Sequence, residues 1–515
     1  MNNFLRFSLA FSVFLGGMGT ALPLVAQKKG NVNPFPYPYG NPVVKHMYTA
    51  DASPHVMPDG RVWMVTSVDH PDGGGYATMH SYHTFSSADM VQWVDHGEVL
   101  NVWDVIGSDK EPEGEDWALW APDMIYHNGK YYLYFPLRIL HTDTVSANGG
   151  RVVTSYIAVA ESNSPDERFT VINPKIEGTR GIDPAVFLDD DGKKYLYFGN
   201  HFGALLTDDM RELATAPVHM EVHDDHFMEA IWMHKRAEKY FLSYHRHYGK
   251  PIDPNNPDDP EREKSRLDFG VSDSPLGPFQ YQGVLNRELG VNVNEGPVLP
   301  GYDFVPWRLY QSNHGGIVEF HGKEYLFYHT SALSSWWQDY FEGPGTWTQR
   351  SVCVDEIVYD NQGMPLPVQQ SLRGVDLVRV TQPALLTVDF STAIPHKNAS
   401  LRDKSIQVTG GNASVTFPRV NLGSGYYYAR LQAQGSEQGA VEFHLDSADG
   451  PLIGTILFRE TGAGPDVYET FLRGGAGIHD LVLVYTSDNK KDSVTLSALS
   501  CLAGAPAAVK MKKTR

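Results

Sequence analysis

Asn128-Gly-Lys-Tyr-Tyr-Leu-Tyr-Phe135 is a tight polar turn followed by a run that alternates aromatic and aliphatic residues. Four other stretches repeat it: Asp59-Gly-Arg-Val-Trp-Met-Val-Thr-Ser67, Asp191-Gly-Lys-Lys-Tyr-Leu-Tyr-Phe198, Arg236-Ala-Glu-Lys-Tyr-Phe-Leu-Ser-Tyr244 and His321-Gly-Lys-Glu-Tyr-Leu-Phe-Tyr328. A turn leading into a half-buried strand is an all-β signal. Its recurrence at roughly 40–85 residues marks one supersecondary unit used several times. Five such units predict a five-bladed β-propeller, an architecture that closes radially and hides its sheet edges. Such a fold gathers loops and strand ends at one mouth of a central channel, so acidic residues near blade starts are expected to converge there.

Bulk composition sets the limits. With 515 residues the chain is too long for one core. Charged residues at 20% and apolar residues at 42% are ordinary for a globular protein. Aromatics at 12% suit both a β protein and sugar binding, because sugar rings lie on aromatic faces. The net charge of −19 argues against nucleic acid or an anionic membrane as partner. Cys353 and Cys501 fall in different expected domains, so no disulfide framework is expected and both read as buried small hydrophobes.

At the N-terminus Arg6 precedes an apolar run from Phe7 to Val25, and Ala26 offers a small residue before Gln27. We expect a cleaved export signal over residues 1–26, a periplasmic or extracellular protein, and no membrane span after cleavage. The propeller is expected over residues 27–378, with the Pro- and Tyr-rich stretch to Pro42 wrapping over its surface. The stretches Thr84–Trp93 and Phe269–Phe279 read as second strands of blades. Ser108–Asp116 and Gly249–Ser265 read as inserted loops. Beyond Thr381 short alternating runs recur at roughly ten-residue spacing, including Ser414–Phe417, Tyr426–Leu431, Ala440–Leu445, Ile453–Phe458 and Leu481–Tyr485. They predict a jelly-roll-like β-sandwich over residues 379–505, followed by a frayed tail, 506–515.

Three carboxylates stand at comparable places, just ahead of a repeated strand: Asp51 in Tyr48-Thr-Ala-Asp-Ala-Ser-Pro-His55, Asp183 in Gly181-Ile-Asp-Pro-Ala-Val-Phe187, and Glu229 in Phe227-Met-Glu-Ala-Ile-Trp-Met-His-Lys235. Each is flanked by small or apolar residues, where a lone charge is costly unless it lines a polar cavity. Clustered carboxylates are what glycoside hydrolysis requires. One donates a proton to the leaving oxygen, another stays ionised, and a further like charge raises the donor's pKa. A single acid at such a place is also a common turn cap; three in register with the repeat are not.

These residues resemble glycoside hydrolase family 43. The matching stretches are the Asp51 segment, Trp120-Ala-Pro-Asp123, Ile182-Asp-Pro-Ala-Val-Phe187 with Asp189-Asp-Asp-Gly192 behind it, Met228-Glu-Ala230 followed by Lys235, Asn313-His-Gly-Gly316, and Arg350-Ser-Val-Cys-Val-Asp-Glu-Ile357. The resemblance implies an inverting glycosidase in which Asp51 is the general base, Asp183 the pKa modulator and Glu229 the general acid. It makes Arg350 a residue that binds substrate hydroxyls or orients a carboxylate. It makes Trp120 a candidate wall for the sugar, with a core Trp as the other reading, and His314 a candidate calcium contact. Asp123 reads as structural. No cofactor is expected to be required beyond a possible structural calcium. The chain departs from the family in having Asp51-Ala52 where Asp-Pro is frequent, and Glu229-Ala230-Ile231 where Glu-Gly-Pro is frequent. Glu295-Gly-Pro297 carries that tripeptide literally, but Lys235 and a repeated strand follow only Glu229.

The sandwich resembles a family 6 carbohydrate-binding module through Val441–Asp446, Gly450–Gly454 and Gly477–Leu481. Its Thr461–Tyr468 stretch lacks the Trp often found there, so a sugar-binding and a purely structural sandwich both stay open. The resulting expectation is release of terminal pentose, α-L-arabinofuranose first and β-D-xylose second, from plant polysaccharide such as arabinoxylan or arabinan. The alternatives are an inactive glycan-binding propeller, a protein-interaction propeller and a retaining fructosidase on a related fold. The last lacks its usual Trp-Met-Asn-Asp-Pro segment here.

Overall fold

Each repeat forms the hairpin between the first two strands of a sheet. The computed structural model describes residues 35, 37–146, 149–247, 265–286, 313–341, 345–368, 370–378, 385–423, 425–426, 428–435, 439–458, 465–472, 475, 477–487 and 489–502. The export signal, Glu295, the tail and all of the second insert except Ser265 lie outside the described residues.

Five antiparallel sheets form the blades. Their first strands are Thr49–Val56, Asp123–His127, Ala185–Leu188, Phe227–Arg236 and Ile317–Phe320. Each of these packs against the next, and the fifth packs against the first, which closes a ring of inner strands around a channel. The fold is therefore a five-bladed propeller. The aromatic runs of the repeat form the second strands, Val62–Val68, Lys130–Val145, Lys194–Phe198, Lys239–His247 and Lys323–Thr330. Their middles are fully buried, as at Leu133, Tyr134, Phe135, Leu196, Tyr197 and Phe327, and they make the cores between blades.

The turns explain the repeated Gly. In Asn128-Gly129 and His321-Gly322 both residues have positive φ, the geometry that matches the twist of the flanking strands. The fourth copy keeps that geometry with Ala237 and Glu238, which have no such freedom.

Several expectations need correction. The stretches that begin at Thr84 and Phe269 belong to third strands, Ser81–Ser87 and Ser265–Ser272, because the repeat itself already supplies the second. The acidic insert is a loop only as far as Gly114; Glu115–Leu119 is a strand that pairs with Lys130–Val145. Asn41 and Pro42 do not lie on the surface. Asn41 is fully buried, and its side chain donates to Val354 O (2.9 Å) and Ser371 O (2.8 Å), while Val43 N–H donates to Val352 O. The helix Ala332–Asp339 was not anticipated.

The C-terminal region is a sandwich of a six-stranded and a five-stranded sheet with its own core, including Val415, Phe417, Leu431, Phe443, Leu483 and Leu499. Each anticipated run overlaps one of its strands. It docks on the propeller: Tyr428, 2% exposed, packs into the core shared with Val56 and Tyr126 and donates its hydroxyl to Val56 O (2.8 Å). The Tyr126 hydroxyl donates to Glu469. Cys353 and Cys501 are buried free thiols, and burial pushes each up to about 12. Among the described residues no helix is long and apolar enough to cross a membrane.

Candidate active site

The three acids sit where inner strands begin and where their backbone is irregular. Asp51 has φ 56° and lies in a break of register between Ala50 and Ser53. Asp183, φ 55°, stands two residues ahead of Ala185–Leu188. Glu229 lies between two register shifts of its strand, and the next residue, Ala230, has φ 63°. Such bulges interrupt the alternation of a strand and re-aim a side chain. Asp51, Asp183 and Glu229 line one small cavity of about 40 Å³ together with His314, Arg350, Trp120 and Tyr76. All six residues singled out from the sequence as site residues are thus in one place. Gly316 lets the inner strands of blades 5 and 1 meet beside it, since a Cβ there would lie 2.2 Å from Pro54 Cδ.

Asp51 is 3% exposed and held from three sides. Arg350 Nη1 donates to its Oδ1 (3.0 Å), Ser67 Oγ donates to Oδ2, and its own N–H donates to His329 Nδ1 (3.2 Å). Arg350 is in turn gripped by Asp69. Nε donates to Oδ2 (2.9 Å), Nη2 to Oδ1 (2.8 Å), and the backbone N–H to Oδ2 (2.8 Å). Burial opposes the charged guanidinium, but Asp51 and Asp69 more than offset this and raise its pKa. Of the two roles open to Arg350, orienting a carboxylate is the one this geometry supports. The fork is rigid and bidentate, and it is 1% exposed. Asp69 was missed in the sequence; its only signal is an acid directly after the second strand of blade 1.

Asp183 accepts from Ala230 N–H (2.9 Å), which ties it to the turn that carries Glu229. Its pKa is raised well above the carboxylate range, first by burial and then by Glu229 and Asp51. Folded Asp183 therefore binds its proton more tightly than the unfolded chain does. Its contribution to stability is present below the ordinary carboxylate pKa and lost as pH rises through the raised value. Asp183→Asn is expected to be stabilising, by on the order of 1 kcal/mol or more at neutral pH. The check is the thermal midpoint of variant and native protein, whose difference should widen as pH rises above the ordinary carboxylate pKa. Ala230→Gly is expected to stabilise by up to about 1 kcal/mol, because a Cβ is strained in the left-handed region. A lower denaturation midpoint in that variant would refute the strain.

Glu229 is the most open of the three, its side chain 17% exposed, with Oε1 3.3 Å from His245 Nδ1. Burial holds the His314 pKa down against the pull of Asp51 and Glu229, so its imidazole is neutral near pH 7. Trp120 donates Nε1–H to Tyr76 O (2.9 Å) and carries Arg138 over its ring, 5.1 Å from the centroid, so it forms a fixed wall. The Tyr76 ring faces Arg350, 5.0 Å from the centroid, and was not anticipated. Asp123 is fully buried and ties three blades together, accepting from Ser53, Val186 N–H (2.6 Å) and pairing with His55 (2.8 Å). Lys235 is not in the cavity; it pairs with Asp189 (3.2 Å) and Asp190 (3.0 Å). Among the described residues no group of three or more His, Cys, Asp and Glu is arranged to hold a metal ion. The side chains around His314 therefore do not themselves form the oxygen-rich cage that calcium prefers. A larger cleft, about 450 Å³, lies between propeller and sandwich and is lined by Asp189, Tyr126, Tyr428 and Glu469. None of the three acids reaches it.

The model of the glycosyl hydrolases family 43 matches residues 39–365, more than half of the chain. The chain belongs to glycoside hydrolase family 43. It is a glycosidase, which sets aside the inactive and protein-interaction propellers. The carbohydrate binding module (family 6) model matches residues 391–500 of this family 43 enzyme. Xylosidase/arabinosidase 43A of Humicola insolens is 33% identical over 383 residues, covering 62% of this chain and 97% of its own. An arabinoxylan arabinofuranohydrolase of Paenibacillus polymyxa is 26% identical over 559 residues, covering 96% of this chain and 78% of its own. Among solved structures, a family 43 arabinoxylan arabinofuranohydrolase from Bacillus subtilis, crystallised with cellotetraose, aligns with a TM-score of 0.50 at 22% identity. It covers 90% of this chain and 98% of its own, so the likeness of fold extends over both domains.

Proposed function

We propose that this glycosidase is exported and removes terminal pentose from plant polysaccharide or oligosaccharide by a single inverting displacement, with α-L-arabinofuranose the first candidate sugar and β-D-xylose the second. The observation that carries it is the meeting of Asp51, Asp183 and Glu229 in one small cavity with His314, Arg350 and Trp120. The substrate class is supported by the names of the Humicola and Paenibacillus relatives, and export by the apolar run behind Arg6.

In this mechanism Asp51 is the general base. The Arg350 guanidinium and the Ser67 hydroxyl, each donating to one of its oxygens, fix the orientation of its carboxylate. Glu229, the most open acid, gives its proton to the leaving oxygen as the glycosidic bond breaks. The water's oxygen bonds to the anomeric carbon from the opposite face, and Asp51 takes its proton. Asp183 modulates Glu229: burial and the Glu229 and Asp51 charges raise the Asp183 pKa, and the coupling is reciprocal, so negative charge on Asp183 favours the proton on Glu229. His314, neutral, offers one donor and one acceptor to sugar hydroxyls. These steps move protons among side chains and water and route none through a metal.

The test is hydrolysis of aryl α-L-arabinofuranoside, aryl β-D-xyloside and aryl β-D-galactoside, with the anomer released followed by NMR. Release of one pentose as the inverted anomer is expected. Cleavage of the galactoside alone, or a retained anomer, would overturn the proposal.

A further inference from the structure

His245 stands directly opposite Glu229 across the first two strands of blade 4, Phe227–Arg236 and Lys239–His247. Its imidazole is fully buried, and Nδ1 lies 3.3 Å from Glu229 Oε1. Glu229 sits between two register shifts, where the ladder that would fix the aim of its side chain is interrupted. The strand of His245 has no such freedom. On one face Tyr244 donates its hydroxyl to Asp224 Oδ2 (2.8 Å), and Arg246 Nε donates to Oδ1 of the same carboxylate (3.2 Å). Successive side chains of a strand point to opposite faces, so these contacts hold the imidazole on the face where it meets Glu229. On the third strand its partner is Leu267. Gly315 lets the backbone beside His314 close on Leu267, since a Cβ there would lie 3.0 Å from Leu267 Cδ1.

A carboxylic acid gives up its proton from one of its two oxygens. An N–H that donates to Oε1 makes that atom the carbonyl oxygen and puts the proton on Oε2. The proton then passes from Oε2 to the glycosidic oxygen while the bond to the anomeric carbon breaks. The electron pair of that bond stays on the leaving oxygen, and Glu229 becomes a carboxylate. The bond to Oε1 thereby turns from a neutral to a charge-assisted one, shorter and roughly twice as strong. At 3.3 Å it is long for N–H···O and has room to shorten. A donor that gains strength as charge develops favours the transition state over the bound substrate. We propose that His245 is a positioning residue for the general acid. Its Nδ1–H holds Oε1, assigns the transferable proton to Oε2 and stabilises the carboxylate that the transfer leaves behind. Nδ1 carries the hydrogen because only that tautomer keeps its bond to Glu229 before and after the transfer. This rests on the proposed role of Glu229.

The experiment measures kcat and KM of native protein, His245→Asn, His245→Leu and Glu229→Ala. The substrates are aryl glycosides of the pentose that the native protein releases, with phenols spanning a range of pKa. Asn and Leu are close in size and shape, so both lose the packing of the imidazole, but only the Asn amide can donate to Oε1. His245→Leu should lower kcat on the poorest leaving groups about tenfold and leave kcat on the best, and KM throughout, within about twofold. His245→Asn should recover most of the loss. Adding His245→Leu to Glu229→Ala should cost nothing more, because the bond serves only the acid. A loss that is the same for every leaving group, equal losses in the Asn and Leu variants, or a further loss in the double variant would overturn the positioning role. Should His245→Leu not fold, His245→Asn decides: a dependence on the leaving group close to native supports the role, and one as steep as that of Glu229→Ala overturns it. Equal loss on all leaving groups in Glu229→Ala would instead end the assignment of the acid, and the positioning role with it.

Discussion

Glu229→Ala is expected to slow hydrolysis of natural glycosides by about 10²–10⁴, while an activated aryl glycoside loses far less. A sugar alkoxide is a poor leaving group and must be protonated as it departs; a nitrophenolate needs little help. The fold should survive the change. Glu229 is partly exposed, and His245 Nδ1 approaches its carboxylate at 3.3 Å. The discriminating measurement is the ratio of kcat/KM on the two substrate types in variant and native protein. Equal losses on both would remove Glu229 from the role of acid. The pH profile adds a second check, because loss of the acid should flatten the alkaline limb of kcat/KM on the aryl substrate.

Replacing Asp51 should have an effect at least as large, without discrimination. With no base, water is not activated whatever the leaving group, so Asp51→Ala is expected to reduce turnover of natural and aryl substrates alike by about 10³ or more. Asp51 also partners Arg350, which is buried, and leaving that charge half-compensated is destabilising by about 3 kcal/mol or more. Asp51→Asn keeps an acceptor for Nη1 and separates the two effects. Its thermal midpoint should lie closer to native, while activity on both substrates stays lost. Near-native turnover in Asp51→Asn would end the assignment of Asp51 as base.

What could be read in the sequence was what depends on local chemistry. The turn-plus-strand repeat marked the blade hairpins, because a tight hairpin needs residues tolerant of positive φ, as at Asn128-Gly129, and a strand buried between blades is rich in apolar and aromatic side chains on both faces. The three acids could be picked out because a carboxylate among small and apolar neighbours demands a special environment. Family 43 motifs gave the same residues. Tertiary structure decided the rest. Which strand of a blade is innermost is a property of ring closure, and for that reason the repeat was placed one strand too far in. Asp69 lies 281 positions from Arg350, and no local pattern announces that one grips the other. Whether Arg350 meets substrate or a carboxylate depends on what surrounds its guanidinium, which is Asp51 and Asp69. Local propensity reaches across a few residues; the channel is assembled from inner strands that lie far apart in the chain, and only their packing brings the charges together.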